Sequence, residues 1–376
     1  ARNFNTRCGD CHVTNFALNY DPDTGVYAST WSEIEIGCEA CHGAGGKHVD
    51  KWRNLTDDPE PLVDLKRLPV SLANQNCGFC HSESVVVRPG FKPGDNLFEY
   101  KDVNGIEDEI HAWQDGRANG LFHNLILVME AKCGELSCTY CHDPHGGGIP
   151  GDLYRPLEWD GLCTNCHGEI LADIEAHTFH SAEGPGSRCV ACHLAPITIE
   201  AGHGRVRDHT LSTPSPRVSA LTTAPNACVE CHLEQQPGWV EEWFERWWPG
   251  AEERNHRTRL AEAIDAARRG KDDAQALLEP WLGSPNPVYR AAAAWYLSRH
   301  EVDLRPLLRD DHPLVRRAAV RGVANRHPEA LHGLLDDPNA VFRSAVAEDL
   351  AARTEREPID YMRDRPALRE KVLATL

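Results

Sequence analysis

Methionine and long apolar runs are both scarce in this sequence. The 376 residues include only two methionines, Met129 and Met362, so methionine is nearly excluded as a metal ligand. Long apolar runs are also missing: the mean hydropathy is −0.49, and the sequence predicts no transmembrane segment. The first residue is Ala1, and no charged-then-apolar leader is present. We therefore expect either that a signal peptide has been removed or that the sequence belongs to a longer chain.

Cysteine, by contrast, is abundant and regularly spaced. Fourteen of the 15 cysteines form seven C-x-x-C pairs, and a histidine directly follows each pair. A zinc site or a thioredoxin-like pair does not need that histidine, whereas a c-type haem does, because two thiols form thioethers with its vinyl groups and the imidazole binds the iron. The sequence therefore predicts seven haem c groups. We number the motifs 1 to 7 along the chain; their cysteines are Cys8/Cys11, Cys38/Cys41, Cys77/Cys80, Cys138/Cys141, Cys163/Cys166, Cys189/Cys192 and Cys228/Cys231. The predicted proximal iron ligands are His12, His42, His81, His142, His167, His193 and His232.

The ligand on the far side of each iron decides between an electron carrier and an enzyme. With methionine nearly excluded, histidine is the remaining common ligand, and residues 1–250 contain eight histidines outside the motifs. An iron with histidine on both sides is six-coordinate and has no vacant position for a substrate. His111 is the weakest candidate, and each of the others could instead be a surface or hydrogen-bonded residue. The predicted distal ligands are His48, His123, His145, His177, His180, His203 and His209.

Charge divides the sequence into two regions. Residues 1–250 contain 18 Lys and Arg against 36 Asp and Glu, whereas residues 251–376 contain 21 of each, so the first region holds the whole net charge of −18. An acidic surface disfavours nucleic acid and anionic membranes, and it suits basic redox partners, bound cations or solubility alone. Haem attachment of this kind takes place outside the cytoplasmic membrane, so we expect a periplasmic or extracellular prokaryotic protein.

One cysteine, Cys133, lies outside the motifs. It could be a buried small apolar residue, a partner in a disulfide to another chain, or an unusual haem-facing ligand.

The second region is rich in Ala, Leu and Arg and contains an internal repeat. Arg290, Arg316 and Arg343 lie 26 and 27 residues apart, each shortly after Asp, Asn or Pro residues that can begin a helix. The predicted fold is therefore mainly α, with a loop-rich, haem-dense module over residues 1–250 and a small α-solenoid over residues 251–376. The solenoid could dock partners without a redox role, or it could stabilise the haem module.

Several segments of the chain resemble multihaem cytochromes related to hydroxylamine oxidoreductase and the ammonia-forming nitrite reductases. The segments are 5–12 (NTRCGDCH), 30–33 (TWSE), 37–48 (GCEACHGAGGKH), 113–116 (WQDG), 141–145 (CHDPH), 177–180 (HTFH), 207–209 (RDH) and 225–228 (PNAC). The resemblance implies that His48, His145, His177 and His180 are distal ligands of haems attached elsewhere in the chain. It also implies that residues 251–376 form a HEAT-like helical-repeat domain. The sequence differs from that family in having Ala44 where proline is usual, and in lacking both the C-x-x-C-K motif of the nitrite reductases and a further N-terminal haem motif of longer members.

Two classes of function are compatible with these patterns. The first is electron transfer through c-type haems, with other redox proteins or copies of the same chain, in a filament for example, as partners. The second is oxidation or reduction of a small nitrogen or sulfur compound at one five-coordinate haem. The supply of spare histidines favours the first class.

Overall fold

The computed structural model describes residues 3–21, 23–54, 62–107, 109, 112–113, 115–117, 119, 123–131, 133, 136–146, 148–157, 159–198, 205–222 and 224–352. Over these residues the chain is mainly helical, as the sequence predicts. Within the same ranges, no helix has both the length and the apolar character that crossing a bilayer requires. His111 and His203 lie outside the described residues.

The helices are short in the motif-rich part of the chain and longer towards its end. The first nine are α1 (Phe4–Arg7), α2 (Gly9–His12), α3 (Cys38–His42), α4 (Gly46–Asn54), α5 (Val70–Gly78), α6 (Asn124–Glu130), α7 (Cys138–Cys141), α8 (Gly161–His167) and α9 (Ile174–Thr178). The later ones are α10 (Cys189–His193), α11 (Pro216–Thr222), α12 (Pro237–Trp247), α13 (Ala251–Arg254), α14 (His256–Arg268), α15 (Ala274–Leu278), α16 (Pro287–Leu297), α17 (Pro313–Arg326) and α18 (Ala340–Ala352). Single 3₁₀ turns include Leu97–Glu99 and Cys228–Glu230.

The described strands form three small antiparallel pairs. They are β1 (Tyr20–Asp21) with β2 (Val26–Tyr27), β3 (Ser84–Val86) with β4 (Lys101–Val103), and β5 (Pro196–Thr198) with β6 (Arg205–Arg207). In the second pair Val85 lies opposite Asp102, and in the third Ile197 lies opposite Val206.

The chain divides into two compact units. Unit 1 comprises Ala1–Val103 and Glu301–Leu376, and unit 2 comprises Asn104–His300. Motifs 1 to 3 therefore belong to unit 1 and motifs 4 to 7 to unit 2, while each unit also contains helices of the second sequence region. The module boundary near residue 250 stays a prediction.

The core of unit 1 lies where α5, α17 and α18 pack on the 3₁₀ turn Leu97–Glu99. Leu97, Phe98 and Phe342 are almost completely buried there. The Nδ2 of Asn339 donates a hydrogen bond to the carbonyl of Phe98, 3.1 Å away. Burial of each Leu or Phe side chain stabilises the fold by roughly 1.5–3 kcal/mol. This burial and the Asn339 hydrogen bond together fix the chain just before β4.

In unit 2, α14 and α16 form the main layer, and α6 and α11 pack on it. Ile126, Leu260, Ile264 and Tyr296 are buried between these helices. The Nδ2 of Asn286 donates to the carbonyl of Met129 at 2.8 Å. The end of α6 is thereby joined to the start of α16.

The three repeated segments have the same local structure. Arg290 and Arg316 each donate from Nη1 to the carbonyl of the residue six positions earlier, at 2.8 and 2.9 Å, and Arg343 makes the equivalent bond to Asp337. Polar side chains also accept backbone N–H groups at the start of each helix, which satisfies donors that have no partner within the helix. The assembly of these helices into a solenoid stays a prediction.

Candidate haem sites

Each described motif forms a turn that places its reactive groups on one side. The backbone N–H of the motif histidine donates to the carbonyl of the first cysteine, at 3.0 Å in motifs 1, 3, 4 and 7. Residues three and four positions apart share a face of a helical turn. The two thiols and the imidazole therefore face the same way, as attachment of one porphyrin requires.

Three motif cysteines differ from the others in their exposure. Cys38, Cys166 and Cys231 are exposed, whereas the remaining motif cysteines are partly buried. The reason is local, because the motif turns of Cys166 and Cys231 lie at the surface: His167 directly after Cys166 is exposed, and so is Leu233 two positions after Cys231. Exposure leaves a thiol accessible for thioether formation, and haem attachment through these three cysteines stays a prediction.

Unit 2 brings three predicted distal histidines to three motif histidines. The ring centroids are 6.3 Å apart for His142 and His209, with planes inclined by 23°, and 6.3 Å and 21° for His177 and His193. His180 and His232 are 6.1 Å and 45° apart. Because a metal–imidazole bond is about 2.0 Å and the ring centre lies about 1.1 Å beyond the nitrogen, two imidazoles on opposite sides of one ion have centres about 6.2 Å apart. The three pairs fit an iron between the rings.

Hydrogen bonds orient several of these rings. Nδ1 donates to a backbone carbonyl in His42, His142, His180, His193 and His209, over distances from 2.6 to 3.1 Å. A carbonyl can only accept, so the proton lies on Nδ1 and the lone pair on Nε2. Ligating histidines in proteins are held in this way. Burial also lowers the pKa of His193, and the neutral imidazole is the form that binds a metal.

A tight turn directs His177 and His180 to different motifs. His177 lies at the end of α9, and Phe179 after it has φ = 56°, in the left-handed region that few non-glycine residues adopt. The chain reverses there, so two histidines only three positions apart face His193 and His232 separately. Motifs 6 and 7 are consequently neighbours.

The β5–β6 hairpin delivers His209. β5 follows motif 6 almost directly, and the strands pair over three residues. The N–H of Asp208 then donates to the carbonyl of Ala195 at 3.0 Å. His209 is thereby fixed two residues beyond β6, where its ring faces His142 of motif 4.

Tryptophans of α12 line the site of motif 7. The ring of Trp239 lies 5.2 Å from that of His232, and Trp247 stacks on Phe179 at 5.1 Å with an interplanar angle of 2°. Trp243 lies between them in the row. Together these rings form an apolar wall beside the His180–His232 pair.

The other predicted distal ligands are placed differently. His48 is half-buried on α4, with its ring 6.3 Å from that of Trp52. His123 is buried at the start of α6, and the side chain of His145 is 78% exposed, with Nδ1 3.7 Å from Asp143. The roles of all three as ligands stay predictions.

Hydrogen bonds join successive motifs in unit 2. The hydroxyl of Tyr140 in motif 4 donates to the carbonyl of Leu162 at 3.1 Å and accepts from Asn165 in motif 5 at 3.0 Å. Asp160, which precedes α8 and motif 5, accepts from the backbone N–H of Cys189 in motif 6 at 3.1 Å. Motifs 4 to 7 therefore follow one another in space as they do in the sequence.

A buried group of charges lies behind His209, and sequence patterns did not indicate it. Arg117 binds Asp115 at 2.6 Å and Asp208 at 3.3 Å, and Arg257 pairs with Glu130. The two guanidinium groups face three carboxyl groups, so one carboxyl lacks a full counter-charge. Burial, with the charges of Asp208 and Asp115, raises the pKa of Glu130 to about 7 against the pull of Arg257. Although burial opposes it, Arg117 and Arg257 lower the pKa of Asp208.

Cys133 is exposed. The interpretation of this residue as a buried apolar side chain is therefore wrong, because its side chain is open to solvent instead of packed in a core. Pairing with another chain, one of the alternatives that the sequence leaves open, is compatible with this position.

Comparisons with known proteins find relatives that share the haem-attachment motif. The family described as a doubled CXXCH motif matches residues 131–172, which contain motifs 4 and 5. The multihaem cytochrome MtrA of Shewanella baltica (strain OS185) is 26% identical over 204 residues, or 54% of this chain and 43% of that protein. The matched region thus spans less than half the length of this curated relative.

One solved structure has a similar fold. The outer cell wall cytochrome OcwA superposes with a TM-score of 0.50 and 17% sequence identity, over 91% of this chain and 76% of that one. In its seven C-x-x-C-H motifs, in part of its sequence and in its fold, the chain is similar to the multihaem c-type cytochromes.

Proposed function

We propose that the chain transfers electrons through seven covalently attached c-type haems. The seven cysteine pairs would bind the porphyrins and the seven motif histidines the irons. When bound, each haem supplies a one-electron couple, and the chain supplies its ligands, spacing and surroundings.

The observation that carries this proposal is the set of three histidine pairs in unit 2. Their centroid separations of 6.1 to 6.3 Å suit two imidazoles on one iron. A six-coordinate iron binds no substrate and keeps its ligands in both oxidation states, which suits a carrier more than a catalyst. We extend the same ligation, as a prediction, to His48, His123, His145 and His203 for the remaining haems.

The contacts between motifs support a path for electrons. Motifs 4, 5 and 6 are joined by hydrogen bonds, and one turn serves motifs 6 and 7. Haems held so closely would exchange electrons in the order 4–5–6–7 through unit 2.

We further propose that the chain works outside the cytoplasm with other redox proteins as partners. The chemistry of haem attachment supports this location, and so does the name of one relative in fold, an outer cell wall cytochrome. The relation to hydroxylamine oxidoreductase stays a proposal based on the resemblance of short segments. For the HEAT-like helices we propose a supporting role, because Asn339 binds Phe98 in unit 1 and Asn286 binds Met129 in unit 2; docking of partners or self-association would be an additional role.

Two measurements on the purified holoprotein test the proposal. A pyridine haemochrome assay should give seven haems per chain, and electron paramagnetic resonance of the oxidised protein should show low-spin ferric iron almost exclusively. A count clearly below seven would contradict the attachment. A strong high-spin signal that responds to a small nitrogen or sulfur compound would instead indicate an enzyme.

A further inference from the structure

A lysine in unit 1 occupies a position where lysine is rarely found. Lys101, at the start of β4, is only 2% exposed. Burial of an ammonium group is unfavourable by several kcal/mol unless partners replace its water. Its surroundings should therefore show what it does.

The partners of Lys101 belong to two haem motifs. Its Nζ lies 2.7 Å from Oδ2 of Asp10, which stands between the two cysteines of motif 1. It also donates to the carbonyl of Phe79, at 2.7 Å, and lies 3.9 Å from the centre of the Phe79 ring. Phe79 stands between the two cysteines of motif 3, so one ammonium group joins two motifs that are about 70 residues apart in the chain.

The thiols of these motifs also meet. The Sγ of Cys11 lies 3.9 Å from the carbonyl of Phe79, and the side chains of Cys11 and Cys80 interact directly. After haem attachment both sulfurs become thioethers at the edge of a porphyrin. The haems of motifs 1 and 3 would therefore be neighbours, although motif 2 lies between them in the sequence.

We propose that Lys101 positions the haems of motifs 1 and 3 side by side and keeps the reduction potentials of both from falling. The inference rests on the proposed attachment of haem to these motifs. Lys101 offsets the carboxylate of Asp10, and because the ammonium group is almost completely buried, the two charges interact more strongly than a pair at the surface. Without the ammonium group, the carboxylate would favour the ferric state of both irons.

Redox titration of holoprotein variants, followed by visible and paramagnetic resonance spectra, tests this role. Lys101→Met should shift two of the seven reduction steps to lower potential and leave the other five in place. Asp10→Asn should shift the same two steps upwards, and the double variant should return them close to the wild-type values. Lys66→Met, which removes the same charge from an exposed side chain in unit 1, is the matched control and should shift none of them appreciably.

The outcomes separate this inference from the proposed function. If Lys101→Met lowers the stability but moves no potential, or moves all seven equally, Lys101 is only a structural ion pair and the inference is wrong. If Lys101→Met does not fold, the test rests on Asp10→Asn, which should fold because Asp10 is partly exposed. Absence of an upward shift of two reduction steps in that variant would contradict the inference. A wild-type protein with fewer than seven haems would contradict the proposed function before any variant is made.

Discussion

The two units bring their haem motifs together by different means. In unit 2, histidines from the turn after α9 and from the β5–β6 hairpin lie opposite motif histidines, and hydrogen bonds join motifs in the order of the sequence. In unit 1, the buried Lys101 and the contact between Cys11 and Cys80 join motif 1 to motif 3. Motif spacing along the chain therefore does not fix which haems are neighbours, because connecting segments can return to an earlier motif as readily as to the next one.

The largest expected effect is loss of an axial ligand, and it compares the two units directly. His180→Ala in unit 2 should leave one haem per chain five-coordinate, because the ring of His180 lies 6.1 Å from that of His232 and the two are the proposed ligands of one iron. Carbon monoxide binding to the reduced protein should rise from near zero to about one per chain, with all haems still attached. His48→Ala should have the same effect in unit 1 if His48 is a ligand.

His300→Ala is the control for both variants, since His300 lies outside the haem motifs and was not a predicted ligand. Unchanged carbon monoxide binding in His180→Ala would contradict the proposed pairing. The same result in His48→Ala alone would show that unit 1 takes its distal ligands from elsewhere.

The next largest effect is a loss of stability when the buried group of charges behind His209 is disrupted. Arg257→Met leaves Glu130 buried without its partner, and removal of one member of a buried pair typically lowers stability by about 3–5 kcal/mol. Denaturant unfolding followed by far-ultraviolet circular dichroism measures this change. Arg299→Met, which breaks an exposed pair with Glu109 in the same unit, should change the free energy of unfolding by less than about 1 kcal/mol. Equal effects of the two variants would show that burial of the Arg257–Glu130 pair does not increase its contribution to the free energy of unfolding.

A smaller effect is a pH dependence specific to unit 2. Burial raises the pKa of Glu130 from 4.5 to about 7, so between these values the folded protein binds more protons at this group than the unfolded chain. The free energy of unfolding should therefore fall as pH rises through this window, by up to about 1.4 kcal/mol per pH unit from this group. Glu130→Gln should gain stability relative to wild type between pH 4.5 and 7.5. The free energy of unfolding of Glu109→Gln, a change at an exposed position, should vary with pH as that of the wild type does. If that of Glu130→Gln did the same, the raised pKa of Glu130 would be contradicted.

The smallest effect concerns the turn that separates His177 from His180. Phe179→Asn removes the ring that stacks on Trp247 but keeps a residue that tolerates the left-handed conformation. We expect a loss of about 1 kcal/mol from the stacking, with no carbon monoxide binding. Phe179→Ala should lose somewhat more, because alanine is also strained at this φ. If Phe179→Asn opened a haem, the ring would be holding His180 in place and not only packing beside it.

Much of the local structure could be predicted from the sequence. The seven motifs predict the attachment points, and each of these five-residue patterns folds as a helical turn. Arg290, Arg316 and Arg343 marked a repeat whose helices begin in the same way each time. These features depend on interactions within about six residues, which neighbouring side chains determine.

The sequence predicted which histidines are candidate distal ligands but not which motif histidine each of them faces. His177, His180 and His209 were among the candidates, yet nothing in their spacing indicated that they face motifs 6, 7 and 4 respectively. The left-handed Phe179 and the register of the β5–β6 hairpin decide those pairings. Both depend on contacts with residues distant in the sequence.

The exposure of the motif cysteines could not be predicted from the sequence either. All seven pairs have the same pattern, yet Cys166 and Cys231 are exposed while Cys163 and Cys228, their partners in motifs 5 and 7, are partly buried. The burial of a thiol depends on which segments pack over its turn, and a five-residue motif contains no information about that.

The sequence by itself therefore predicted the chemistry of this protein, thioether-bound haem with histidine ligation, and determined a predominantly helical chain. Only the tertiary structure decided which motifs adjoin and which charges are buried between them. Lys101 illustrates the difference, since its identity in the sequence suggests a solvated surface residue. It is buried because two motifs about 70 residues apart close around it, and the free energy of that contact depends on the whole of unit 1.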